Sequence, residues 1–150
     1  MTVKTVKTTR KNALMTVAVF FLVLAGLILV RWSCEKRTYD MRDGAGRERY
    51  LSSLGWQVSE SECDSVEIKL PEQFGAVLSS YNEMQKTAGF DLERYAGKKV
   101  MQYTYPAQNA EAGETYVVLY ARGRRLIGGD IHSASLDGFM LPLSAREDAE

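Results

Sequence analysis

The sequence predicts a single N-terminal membrane-spanning helix followed by a small α+β domain, an antiparallel β-sheet packed by one long and one or two short helices. Three observations predict it. Residues 13–30 are uncharged and apolar, residues 72–87 carry apolar side chains at spacings of three and four, and three segments within 99–131 are rich in Val, Ile and Tyr.

The first run, ALMTVAVFFLVLAGLILV, has Thr16 as its only polar member. At 1.5 Å per residue it makes about 27 Å of helix, against roughly 30 Å of hydrocarbon. A cleaved signal peptide would have a shorter apolar region and a small-x-small cleavage site. Arg31-Trp32-Ser33-Cys34-Glu35-Lys36-Arg37 follows instead, so the segment reads as an uncleaved anchor with Trp32 at headgroup depth. Lys4, Lys7, Arg10 and Lys11 precede it without an acid. This short cationic leader places the N-terminus inside, and the long remainder translocates largely regardless of its charge. Residues 1–12 are then a cytoplasmic leader, 13–30 the span, 31–46 a polar stalk, 47–143 an extracytoplasmic domain and 144–150 a tail.

Over 150 residues, 19 Lys and Arg balance 19 Asp and Glu. Setting the leader's four cations aside leaves 15 against 19, a net of −4 that argues against a nucleic-acid-binding body. Two cysteines and one histidine are too few for a disulfide scaffold or a His/Cys zinc site, and no metal or cofactor is implied. Cys34 and Cys63 either bridge in an oxidising compartment or remain two thiols.

The domain's elements follow in order. Tyr50, Leu51 and Leu54 mark a short amphipathic helix that Gly55 stops, with Trp56 folding back. Residues 56–60 and 65–70 are strand candidates; in the second, Val66, Ile68 and Leu70 alternate with Glu67 and Lys69. Pro71 ends that strand and opens a helix over 72–87. Its stripe of Phe74, Val77, Leu78, Tyr81 and Met84 would contribute on the order of 10 kcal/mol if buried, before entropy, which makes this helix the expected centre of the core. Gly89 closes it, and Asp91 is placed to cap one helical turn over 92–95. Strands at 99–105, 115–121 and 125–131 complete a meander, the last two joined by Arg122-Gly123-Arg124, whose glycine suits a tight hairpin.

A meander gathers Lys98, Lys99, Arg122, Arg124 and Arg125 at one end of the sheet, and Glu111, Glu114, Asp130 and His132 at the other. The basic end suits anionic lipid headgroups or a wall polymer, at up to about 1 kcal/mol per cation, or is simply solvated. Tyr103 and Tyr105 share a face of one strand; Tyr116 and Tyr120 share a face of its neighbour, opposite Val117, Leu119 and Ala121. With the long helix on the aliphatic face, an aromatic face remains for sugar or extended peptide, unless the helix of Tyr50, Leu51 and Leu54 covers it. Asp130 and His132, two apart on a strand, project together beside Gly128 and Gly129. They suit metal binding or proton sharing, but spacing offers no third ligand, and Asp130 bonding the amides of the following turn is the plainer reading. Leu136-Asp137-Gly138-Phe139-Met140 reads as a turn, with Phe139, Met140 and Leu141 covered by the core. Neither a Gly-x-Ser-x-Gly elbow nor a phosphate loop is present.

Arg49-Tyr50-Leu51, Leu54-Gly55-Trp56, Tyr81-Asn82, Gly89-Phe90-Asp91-Leu92, Tyr95-x-Gly97-Lys98 and Tyr103-Thr104-Tyr105 form a string of motifs. With Leu126-Ile127-Gly128-Gly129-Asp130 and Leu136-Asp137-Gly138-Phe139-Met140, that string resembles a bacterial family catalogued as domain of unknown function 4830, over roughly residues 47–143. The resemblance implies a small extracytoplasmic domain behind a membrane anchor or signal, and it implies no activity and no catalytic residue. In the family pattern a cysteine stands two residues after Gly-Gly-Asp; here that position is His132, so no thiol role carries over.

These readings converge on a binding, sensing or structural domain held in the bilayer through residues 13–30, with an envelope protein or cell-wall polymer as partner. The alternatives are a membrane-tethered hydrolase or metal-dependent enzyme built around Asp130 and His132, and an inhibitor or partner module of another membrane protein.

Overall fold

The computed structural model describes residues 39–111, 113–135, 137–144 and 146; the apolar run at 13–30 and Cys34 lie outside them. Among the described residues no helix is long and apolar enough to cross a membrane. The fold is α+β. Helix α1 (Gly44–Ser53) is followed by a 3-10 turn (Glu60–Glu62), strand β1 (Asp64–Lys69), helix α2 (Ala76–Thr87), a second 3-10 turn (Leu92–Tyr95), and strands β2 (Lys99–Pro106), β3 (Thr115–Arg122), β4 (Arg125–Ser133) and β5 (Met140–Pro142). The five strands form one antiparallel sheet in chain order. β3 and β4 turn on Gly123 and Arg124, with Arg122 opposite Arg125 and Gly123 at φ +59°, which an L side chain seldom adopts.

Each face of the sheet carries its own core. Tyr103, Tyr105, Val117, Leu119, Ala121 and Ile131 pack with Met41, Leu51 and Trp56 from α1 and its flanks. On the other face Val100 and Ile127 pack with Leu70 and Leu92, joined by Phe74, Tyr81 and Tyr120. The second cluster is smaller, so the expectation that the long helix centres the core is corrected. Val77 is 87% exposed, and the two side chains α2 buries are Asn82 and Gln85. The inward face of α2 lies where backbone groups need partners, and amide side chains supply them, as detailed below.

Other boundaries shift for local reasons. Residues 39–46, read as stalk, belong to the folded unit: Met41 is buried and its N–H donates to the Arg124 carbonyl at 3.2 Å. Residues 56–60 form no strand. The Trp56 N–H donates to the Leu51 carbonyl and the Gly55 N–H to the Ser52 carbonyl, closing α1 and turning the indole into the core. The same two-bond closure ends α2, with Phe90 donating to Gln85 and Gly89 to Lys86. The Asp91 carboxylate makes no cap on the turn after it; the Asn82 Oδ1 takes that place and accepts the Leu92 N–H at 2.7 Å. Beyond the turn around Asp137 and Gly138 the chain adds β5, a strand the sequence does not announce, and Met140 is 53% exposed rather than covered.

Candidate functional site

Asp130 sits on β4 opposite Val118 and is 2% exposed. A carboxylate removed from water to this degree needs partners for both oxygens. The Tyr81 hydroxyl, from α2, donates to Oδ2 at 2.5 Å, and Nδ1 of His132 lies 2.7 Å from Oδ1, so the imidazole tautomer protonated on Nδ1 completes the pair. His132 stacks on Tyr116 with ring centres 5.9 Å apart, and Tyr81 meets Tyr120 edge to face at 6.4 Å. Burial and the neighbouring Asp130 carboxylate push the Tyr81 hydroxyl well above the usual phenol range. The His132 side chain is 29% exposed and Tyr81 is partly buried, so the chain Tyr81–Asp130–His132 holds its carboxylate inside and its two ring partners nearer the surface. Sequence spacing therefore pairs Asp130 with His132 correctly, whereas the expectation that Asp130 serves the following turn is corrected. Its second partner comes from a helix 49 residues earlier. Among the described residues, no cluster of three or more His, Cys, Asp or Glu side chains suited to a metal ion occurs.

Of the two glycines beside Asp130, Gly128 makes room for α2 and the turn after it, and Gly129 for the β3 backbone and Leu143. A Cβ on Gly128 would stand 2.8 Å from a Leu92 methyl and 3.0 Å from Oε1 of Gln85; one on Gly129 would stand 2.5 Å from the Val118 carbonyl. Into this space Gln85 reaches from α2. Its Nε2 donates to the Gly129 carbonyl at 2.8 Å and its Oε1 accepts the Gly129 N–H at 2.9 Å.

The structure divides the four candidate binding tyrosines between the two faces. Tyr103 stands directly opposite Leu119 and Tyr105 opposite Val117, so both belong to the aliphatic face and lie beneath α1. They are 8% and 0% exposed and offer no open aromatic surface. Arg47, itself 4% exposed, fixes them: its guanidinium lies 3.8 Å over the Tyr103 ring, its Nε donates to the Tyr105 hydroxyl at 2.6 Å, and its Nη2 pairs with Glu60. Tyr105 in turn donates to Oε2 of Glu60 at 2.6 Å. Burial raises the Tyr105 hydroxyl and the Cys63 thiol above their ordinary values. Tyr116 and Tyr120 take the other face, half-buried around Asp130 and His132.

The five basic residues lie where a meander puts them. Lys98 and Lys99 lead into β2, and Arg122, Arg124 and Arg125 surround the β3–β4 turn at the same end; all five are exposed. Lys99 pairs with Glu67 at 2.6 Å and Arg124 with Asp40 at 3.0 Å. Next to Arg125 a cavity of about 410 Å³ opens between the end of α2 and β4, with Lys86 and Arg94 also on its lining. Sequence reasoning missed Lys86 and Arg94 because only the packing of α2 on the sheet brings them to Arg125. It missed Arg47 and Gln85 because neither belongs to an apolar pattern.

No curated protein matches the chain, and no solved structure matches it. A family profile described as "Domain of unknown function (DUF4830)" matches residues 50–131, from α1 to the far end of β4, and so takes in Tyr81, Gln85, the Gly128–Gly129 pair and Asp130. The chain belongs to that family, domain of unknown function 4830.

Proposed function

We propose that the protein is a membrane-anchored binding domain of the bacterial envelope. Residues 13–30 span the cell membrane once, the leader stays in the cytoplasm, and the α+β domain faces outward to engage an anionic envelope partner, a wall polymer or the acidic surface of a protein. The observation that carries this reading is the gathering of Lys98, Lys99, Arg122, Arg124 and Arg125, all exposed, at one end of the sheet. Ion pairs to Lys99 and Arg124 moderate the field, while Lys98, Arg122 and Arg125 have no ion-pair partner among the described residues. A tethered hydrolase around Asp130 has less support, because the group that converges on Asp130 and His132 is the Tyr81 phenol rather than another acid, thiol or imidazole.

The test uses the full chain in nanodiscs of zwitterionic lipid, with a poly(glycerol phosphate) as partner. Co-sedimentation should weaken as salt is raised, and joint Arg122→Glu and Arg124→Glu substitution should weaken it by at least about tenfold. Retention indifferent to both would overturn the reading. Orientation is tested in whole cells: Cys34 should react with a membrane-impermeant maleimide, unless first joined to Cys63, in which case reduction should expose it. Labelling only after the cells are broken would contradict an outward domain.

A further inference from the structure

We propose that the cavity between the end of α2, the 3-10 turn Leu92–Tyr95 and β4 binds a phosphorylated small molecule or headgroup with an apolar body, its phosphate held between Arg94 and Arg125. The inference deepens the binding reading and rests on it for the domain's being a binder; it shares Arg125 with the basic turn but adds Lys86, Arg94 and an apolar wall that the turn does not use.

The cavity has a volume of about 410 Å³, within the range of small-ligand sites. Phe90, Tyr95 and Ile127 contribute apolar wall, and Lys86, Arg94 and Arg125 bring cations from three separate elements. Asp91, the acid on the lining, is already engaged: its Oδ2 accepts Nε of Arg94 at 3.0 Å and its Oδ1 accepts Nδ2 of Asn82 at 3.0 Å. Asn82 is 1% exposed and also holds the Leu92 N–H, so a buried amide sets Asp91, and Asp91 sets Arg94. The Asp91 contact occupies only Nε, which leaves the terminal nitrogens of Arg94 as a fork for a planar or tetrahedral oxyanion. Asp91 thereby acts as a positioning residue, lowering the ordering cost of the guanidinium before a ligand arrives. Arg125, on β4 and on the same lining, has no ion pair among the described residues and would complete the clamp. Lys86 is shared with Glu83 at 2.8 Å and serves as a third, weaker pole. Two guanidiniums and an ammonium suit a phosphate dianion better than a single carboxylate, and the aromatic wall suits a flat apolar group beside it.

Phenyl phosphate is the probe, titrated into the full chain in zwitterionic nanodiscs and followed by calorimetry. Saturable binding is expected, weaker with inorganic phosphate and absent with benzyl alcohol. Arg94→Gln and Arg125→Gln should each weaken it by about tenfold. Asp91→Asn separates the clamp from a merely positive patch. Removing a negative charge strengthens phosphate binding if only net charge matters, whereas loss of the hold on Arg94 weakens it, and weakening is expected with the melting temperature tracked alongside. Tighter binding in Asp91→Asn, or no effect of either arginine change, would overturn the proposal. Adding phosphatidic acid to the nanodisc names the source: displacement of phenyl phosphate assigns the site to lipid headgroups, and its persistence assigns it to a soluble ligand. A protein that sediments with the polymer but ignores phenyl phosphate fails this inference alone, and the reverse result fails only the earlier reading.

Discussion

The carboxamide of Gln85 closes a two-bond ring on the backbone of Gly129, donating to its carbonyl at 2.8 Å and accepting its N–H at 2.9 Å, with Gln85 fully buried. A helix side chain thus binds a strand much as another strand would, at the point where α2 crosses the sheet. The Gly129 carbonyl has a second donor in the Leu143 N–H at 3.2 Å. Its N–H depends on Gln85.

Replacing Gln85 with Leu keeps most of the volume and strands that N–H away from water. The cost of an unsatisfied buried group is about 1–3 kcal/mol, and urea unfolding should show it as a lower midpoint with an unchanged slope. A loss under about 0.5 kcal/mol would mean that α2 is held to the sheet by other contacts.

The two glycines should respond unequally to alanine. At Gly129 the new methyl meets the Val118 carbonyl at 2.5 Å, which cannot move without shifting β3. At Gly128 the nearest atom is a Leu92 methyl at 2.8 Å, the end of a side chain that can give way, with the fixed Gln85 carboxamide slightly farther at 3.0 Å. Gly129→Ala should cost about 2–3 kcal/mol and Gly128→Ala about 1 kcal/mol in chemical denaturation. The reverse order would contradict the packing described for α2.

Arg47 joins α1 to the sheet through Tyr103, Tyr105, the Met41 carbonyl and Glu60. Arg47→Met keeps the stem and removes the charge, leaving the Tyr105 hydroxyl and the half-exposed Glu60 without their cation. A loss of about 2–3 kcal/mol is expected. Arg47→Lys should recover little of it, because an ammonium cannot span all four partners. Full recovery by lysine, measured by thermal unfolding, would argue that charge alone matters here.

Alkali should destabilise the domain in a defined way. Burial raises the hydroxyls of Tyr50, Tyr81, Tyr105 and Tyr120 above the ordinary value of 10. For each, the stability tied to the neutral phenol is fully present below about pH 10. Above that the unfolded chain ionises first, and the stability is lost as the pH rises towards the folded value. The slope approaches about 1.4 kcal/mol per pH unit for each such tyrosine. Tyrosinate absorbance should appear together with unfolding, and Tyr81→Phe should lower the slope while costing about 1–3 kcal/mol at neutral pH through the unpaired Asp130 oxygen. A Tyr81→Phe variant with an unaltered alkaline slope would remove Tyr81 from this account.

The elements legible in sequence are those whose signal is local. Strand β1, the Gly123 turn, the Gly55-Trp56 helix stop and the three long strands all appear within a residue or two of their expected places, although the alternation in β1 buries no continuous face, since Val66 is 46% exposed. The strand expected at 56–60 failed because its extended residues complete a helix end instead, and β5 was missed because three residues carry no period. Of the candidate site, the Asp130–His132 pair was legible from a spacing of two. Tyr81 was legible only as an apolar helix position, and its hydroxyl bond to Asp130 carries no sequence signature.

The sequence by itself determined the body of both helices and strands β1 to β4, though not β5 or the start of α2 at Ala76 rather than after Pro71, and that the basic residues gather at one end, since periods of 2 and 3.6 follow from backbone geometry along each segment and a meander has only one arrangement of its ends. Tertiary structure alone decided which residues share a face. Tyr103 stands opposite Leu119 and not opposite Tyr120, and a slip of one residue in that pairing would have put both interior tyrosines on the other side. It also decided that Asn82 and Gln85, not the apolar residues beside them, lie innermost on α2, because the unpaired N–H groups of Leu92 and Gly129 exist only once the chain has folded around them.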